Sequence, residues 1–109
     1  MRTDRGNALN IKFLTREEVI RQLVKHRTDL ESFGVKSLAL FGSVARGEED
    51  AESDIDMLVE FSRPVGFFTF LDVKEYLENL LGKEVDLVTY DALKRQLRQR
   101  ILQESVHAF

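Results

Sequence analysis

The stretch FGSVARGEEDAESDIDMLVEF, residues 41–61, holds a Gly-Ser turn, an acidic loop, and two aspartates one residue apart at the head of an apolar run. Side chains alternate along a strand, so Asp54 and Asp56 project to the same side with α-carbons about 6.6 Å apart. With an effective dielectric near 20, two bare carboxylates at that spacing repel by roughly 2.5 kcal/mol, before the cost of dehydrating them. Packing alone gives no reason for such a pair in a β-type run. A divalent cation reverses the sign of the term, and oxygen donors without histidine or cysteine suit a hard ion such as magnesium. Magnesium keeps several waters and completes its shell with phosphate oxygens, so the pattern asks for a nucleotide.

Two further features extend this reading. Asp86 lies in EVDLVT, residues 84–89, again a charge inside an apolar β-type run. If that strand neighbours the one carrying Asp56, a third carboxylate joins the cluster. Gly42-Ser43 closes a strand and opens a short helical segment, where backbone N–H groups and a hydroxyl can meet phosphate oxygens. Arg46, about one helical turn on, offers a permanently charged planar fork to the same place. These parts support nucleotidyl transfer with two metal ions, both held by Asp54 and Asp56 and one also by Asp86. Asp86 is the candidate general base.

Each element also has a plainer reading. A bare Asp-x-Asp is usually a solvated turn, Ser43 could be a helix cap, Arg46 a surface residue and Asp86 a solvent-facing strand charge. The combination outweighs them: a strand ending in Gly-Ser, ten residues, Asp-x-Asp opening a second strand, and a lone aspartate in a third.

Around this core the pattern predicts a mixed α/β chain. Thr15 and Glu18 fit a capping box, with Leu14 and Val19 as its hydrophobic staple, and Val19, Ile20, Leu23, Val24 and Leu30 follow at helical spacing up to a stop at Gly34. Residues 35–41 and 55–61 read as central strands and 84–89 as a third. Arg63-Pro64 breaks the chain, and residues 67–81 form a helix with Phe70, Val73, Leu77, Leu80 and Leu81 on one face. Asp91 suits the N-cap of a last helix carrying Leu93, Leu97, Ile101 and Leu102. The aromatic segment 66–71 is apolar enough to serve as an interface, but burial is the favoured reading, because a chain this small needs aromatic core. The basic cluster Lys94, Arg95, Arg98 and Arg100 reads evenly as a wet helix face or a docking surface. His26 and His107 lack a partner motif and receive no role.

At 109 residues the chain suits one domain, expected over residues 15–109, with residues 1–14 as a polar, aperiodic extension. Sixteen basic against nineteen acidic residues give a net charge of -3, which argues against whole-surface attraction to nucleic acid or membrane. The absence of cysteine removes disulfides and thiolate zinc sites, and no run approaches the roughly 20 apolar residues of a membrane span. The amino terminus lacks a secretory pattern, so the cytoplasm is the expected compartment.

GSVARGEEDAESDID together with EVDLVT resembles the minimal nucleotidyltransferases (MNT) of the DNA polymerase beta superfamily. Gly42, Ser43, Ala45, Arg46, Gly47, Ser53, Asp54 and Asp56 fall on that family's G-S-x-A-R-G and S-D-x-D elements, and Asp86 falls where its third carboxylate does. The similarity runs from Thr15 to about Val106. It implies the nucleotidyltransferase fold, a small mixed sheet flanked by helices, working on ATP with magnesium. Single-domain members of this kind are typically antitoxins of a helical HEPN-domain RNase toxin, and some transfer AMP to a tyrosine of that partner. Two other functions stand beside this one: a non-catalytic antitoxin acting by stoichiometric contact, and an adenylyltransferase for a small molecule such as an antibiotic. No membrane and no direct nucleic-acid contact is expected, and homo-oligomerisation is left open.

Overall fold

The computed structural model describes residues 14–48 and 54–109; the expected extension 1–14, apart from Leu14, and residues 49–53 of the acidic loop lie outside the described residues. The chain begins with α1 (Arg16–Lys25) and α2 (Arg27–Ser32), then strand β1 (Val35–Phe41) and the single turn α3 (Gly42–Ala45). Strand β2 (Ile55–Phe61), helix α4 (Phe67–Leu81) and strand β3 (Val85–Thr89) follow. A 3-10 turn (Tyr90–Ala92), helix α5 (Arg95–Glu104) and the short strand β4 (Val106–His107) complete it. The strands form one mixed sheet in the order β3-β2-β1-β4. β1 runs antiparallel to β2 and β4, and β2 runs parallel to β3 through the α4 crossover. The two strands expected to be central are the inner pair.

The capping box forms as the sequence demands. The Glu18 N–H donates to the Thr15 hydroxyl oxygen at 3.2 Å, and the Thr15 N–H donates to the Glu18 carboxylate at 3.2 Å. The expected single helix up to Gly34 is instead two. At His26 the backbone turns to ψ 20, its N–H is shared between the carbonyls of Gln22 and Leu23, and its ring bonds the Gln22 carbonyl at 2.9 Å. The break turns the chain so that α1 and α2 can both seat core residues, Val19 and Leu23 from one and Leu30 from the other.

One face of the sheet packs against α1, α2 and α4. Leu38, Leu40, Ile55, Met57, Val59, Val85 and Leu87 bury against Val19, Leu23, Leu30, Val73, Leu77 and Leu81. Burying a leucine or valine side chain of this kind contributes about 1.5 to 3 kcal/mol, which makes this layer the main source of stability. The intervening strand residues face the other way. Ala39 and Leu58 are also buried, but outside that cluster, on the face that carries Asp56 and Glu60. Helix α5 lies beside this second face, touching α3 and β1, and leaves part of it open.

Two expectations fail here. Asp91 does not cap the last helix: it sits in the 3-10 turn, and Lys94 is the N-cap residue, without a side-chain bond. Arg98 instead donates to the carbonyls of Leu93 and Asp91 and lies 5.1 Å from the centre of the Tyr90 ring, which ties the turn to the helix from the helix side. The aromatic segment is only partly buried. Phe70 packs on the core, whereas Phe67 and Phe68 are 69% and 80% exposed. The 3.6-residue period explains the difference, because Phe70, Val73, Leu77 and Leu81 occupy the face toward the sheet and Phe67 and Phe68 fall outside it. Strand β4 had no signal in the sequence at all.

Candidate active site

Register, rather than sequence distance, assembles the acidic site. β2 and β3 are parallel neighbours, and Asp56 and Asp86 are directly paired across them. Both alternate with buried residues, Ile55 and Met57 on one strand and Val85 and Leu87 on the other, so the core-facing set fixes which way the aspartates point. Asp56 is half-buried and its carboxyl is pushed up to about 6. Burial is the largest cause, followed by the charge of Asp86, a hydrogen bond to Asp86 and the charge of Asp54; Arg46 acts in the opposite direction. Asp54 is exposed one residue before β2.

On the other side of Asp56, Phe41 is its partner in β1, which brings the Gly-Ser turn to the same end of the sheet. Gly42 has φ +72, and a Cβ there would run into the Asp56 carboxylate, lying 3.1 Å from its Cγ. Glycine is therefore required twice, for the backbone angle and for the close approach of the carboxylate. Ser43 occupies the next position of α3, and its carbonyl accepts the Glu48 N–H at 2.8 Å, folding the following loop back onto the turn.

Arg46 ends that turn, with its Nε donating to Glu48 at 3.1 Å and an Nη to Glu104 of α5 at 3.4 Å. These two carboxylates raise the guanidinium's pKa, and its own charge lowers that of Asp56. Neither partner was singled out from sequence. Glu48 opens the acidic loop and carries no local signal for this pairing, and Glu104 reaches Arg46 only because α5 crosses the turn, a tertiary fact.

The donor set is oxygen only, and a half-buried carboxyl raised to about 6 beside a second carboxylate is a place that asks for a proton or a cation. The residues therefore fit a hard divalent ion. Among the described residues no three acidic or histidine side chains are already drawn into one ligand set; the assembled pair is Asp56 and Asp86, with Asp54 at the head of β2. His107 lies on β4 beside Ala39, and His26 bonds within its helix, so neither histidine enters the site.

Comparison with known proteins places the chain's family and fold. A family model described as the nucleotidyltransferase domain matches residues 6–108. The protein adenylyltransferase MntA of Thermococcus cleftensis is 42% identical over 95 residues, spanning 86% of this chain and 96% of that protein. Among solved structures, a candidate minimal nucleotidyltransferase superposes with a TM-score of 0.75 at 33% identity, covering 84% of this chain and 94% of its own. A complex of tri-AMPylated Shewanella oneidensis HEPN toxin with its MNT antitoxin matches with a TM-score of 0.63 at 18% identity, over 87% of this chain and 72% of that one, a likeness of fold.

Proposed function

The chain is a member of the nucleotidyltransferase domain family, and we propose that it transfers AMP from ATP to a tyrosine hydroxyl of a helical HEPN-domain partner, acting as that toxin's antitoxin. The observation that carries the chemistry is the direct pairing of Asp56 with Asp86 next to the Gly42–Ser43 turn. The acceptor and the biological role are supported by the relative from Thermococcus cleftensis, whose name states protein adenylyltransfer, and by the fold shared with the MNT antitoxin bound to its AMPylated toxin.

Asp54, Asp56 and Asp86 would hold magnesium, which when bound supplies positive charge against the triphosphate and the departing pyrophosphate. The protein's own groups do the positioning. Backbone N–H groups and the hydroxyl at Gly42–Ser43 hold phosphate oxygens, and the bare α-carbon of Gly42 lets the Asp56 carboxylate lie against that turn. Arg46 offers its fork to the same phosphates. The attacking hydroxyl oxygen bonds to the α-phosphorus as the bond from that phosphorus to the pyrophosphate oxygen breaks. The electron pair leaves with pyrophosphate, and Asp86, the more exposed of the paired carboxylates, takes the hydroxyl proton.

Incubation with ATP, magnesium and the HEPN partner, read by intact mass, should add AMP to the partner. Asp54→Asn or Asp56→Asn should abolish the addition while leaving the fold intact by circular dichroism. Transfer that survived either substitution would defeat the assignment of the site, and protection of cells by an Asp56→Asn chain at normal expression would favour neutralisation by contact.

A further inference from the structure

Below the paired aspartates, the open face of the sheet continues into a groove of about 960 Å3. Its floor is the same row of β2 that carries Asp56, continuing through Leu58 to Glu60. On one side lie the end of β3 and the turn after it, Thr89 to Asp91, on the other Ala39 of β1 and His107 of β4, and Gly66 and Phe67 at the start of α4 also line it. We propose that this groove receives the hydroxyl-bearing segment of the acceptor polypeptide, lying extended along β2 with its hydroxyl at Asp86. This rests on the transfer reading above and adds to it where the acceptor enters.

Three observations select a polypeptide over the nucleotide. Strand directions place the phosphate turn at one end of the acidic pair, because Phe41 and Asp56 are partners, and the groove at the other end, toward Glu60 and Thr89. In-line displacement needs the nucleophile opposite the leaving group, which is the side the groove opens on. The length also fits: Asp56 to Glu60 spans about 13 Å, the reach of roughly four extended residues. Finally, the groove's lip at Phe67 continues outward onto the exposed rings of Phe67 and Phe68, which sit edge to face at 6.0 Å, while Glu60 and Asp91 in the groove are balanced by Arg63 beside them and by Lys36, 3.8 Å from Glu60. Glu60 is itself steadied by the Ser37 hydroxyl at 3.3 Å. Exposed aromatics at the mouth of a groove are the surface a protein partner covers.

Gly66 provides a clean test. Its φ is -78, which any residue adopts, and a Cβ there would meet nothing within 4 Å. The chain contains no cysteine, so Gly66→Cys can be folded first and then alkylated at that one position with a bulky maleimide. Two quantities are read before and after alkylation: the rate of AMP transfer from ATP to the HEPN partner, and the Kd of a fluorescent ATP analogue with magnesium. Blocking the groove should lower kcat/KM for the partner at least tenfold and leave the Kd unchanged. A Kd weakened in parallel would show that the groove holds nucleotide, and no change in either would show that it takes no part; both results overturn the proposal. If the wild-type chain itself transferred nothing to the partner, the transfer reading would fall, and this proposal with it.

Discussion

Asp56→Asn should make the ligand-free protein more stable while destroying its chemistry. Across the parallel register, Asp56 faces Asp86, and its carboxyl is raised from an ordinary 3.8 to about 6, by burial first and by Asp86 second. A shift of about two units corresponds to roughly 3 kcal/mol against the charged form. Coulomb's law for two charges about 4 Å apart brackets the repulsive part between about 1 kcal/mol in water and about 4 at an effective dielectric of 20. Because the pair is partly open to solvent, screening reduces the net effect to about 1 to 2 kcal/mol. Native Asp56 holds its proton more tightly than the unfolded chain does, so stability falls as pH rises from about 4 to 6, and the full penalty applies above 6. The asparagine variant escapes it. In urea or thermal unfolding without divalent ions, it should exceed the wild type by about 1 to 2 kcal/mol at pH 7.5, on the order of 5 to 10 °C in Tm, with the gap closing near pH 4. Magnesium should narrow the difference at pH 7.5 by stabilising the wild type alone. A variant less stable than the wild type at pH 7.5, or a difference that does not vary with pH, would refute the reasoning.

Other substitutions probe separate parts. Gly42→Ala places a methyl group against the Asp56 carboxylate at φ +72 and should cost about 1 to 2 kcal/mol from the backbone alone, with loss of transfer; full activity at wild-type Tm would show that the close approach is dispensable. Arg46→Gln removes the charge that lowers the pKa of Asp56, so the acid limb of the transfer rate should move to higher pH, and an unmoved limb would place the guanidinium too far away to matter. Leu77→Ala empties a fully buried position between α4 and the sheet and should cost about 2 to 5 kcal/mol in urea unfolding; a loss under about 1 would mean that α4 is not an anchor.

Much of this architecture was legible because the chemistry and the pattern point the same way. The apolar run interrupted by Asp54 and Asp56, the charge in EVDLVT and the Thr15–Glu18 box each carry a local signal, and the elements formed where they indicate. Pairing is different. Nothing in residues 55–61 or 85–89 states that the two strands are parallel neighbours, and the Asp56–Asp86 contact depends on that alone. The failures share a cause as well. A small chain's need for aromatic core argues for burying Phe67 and Phe68, but helical phase puts them outside. Asp91 has the chemistry of a cap, but the 3-10 turn after β3 delays the helix by a few residues. The partners of Arg46 depend on how α5 crosses α3, which no short window of sequence encodes.

The crossover through α4 has an implication for synthesis on the ribosome. A nascent chain that has emerged only as far as the end of α4 already owns the Gly42–Ser43 turn, Asp54 and Asp56, yet β2 still lacks its parallel neighbour and one of the paired carboxylates. Such a fragment lacks the Asp56–Asp86 pair, because parallel partners meet only after the intervening loop has closed. If the acidic pair carries the chemistry as proposed, competence arrives only once β3 has emerged, late in translation, and a product truncated before it is inert rather than wrongly active.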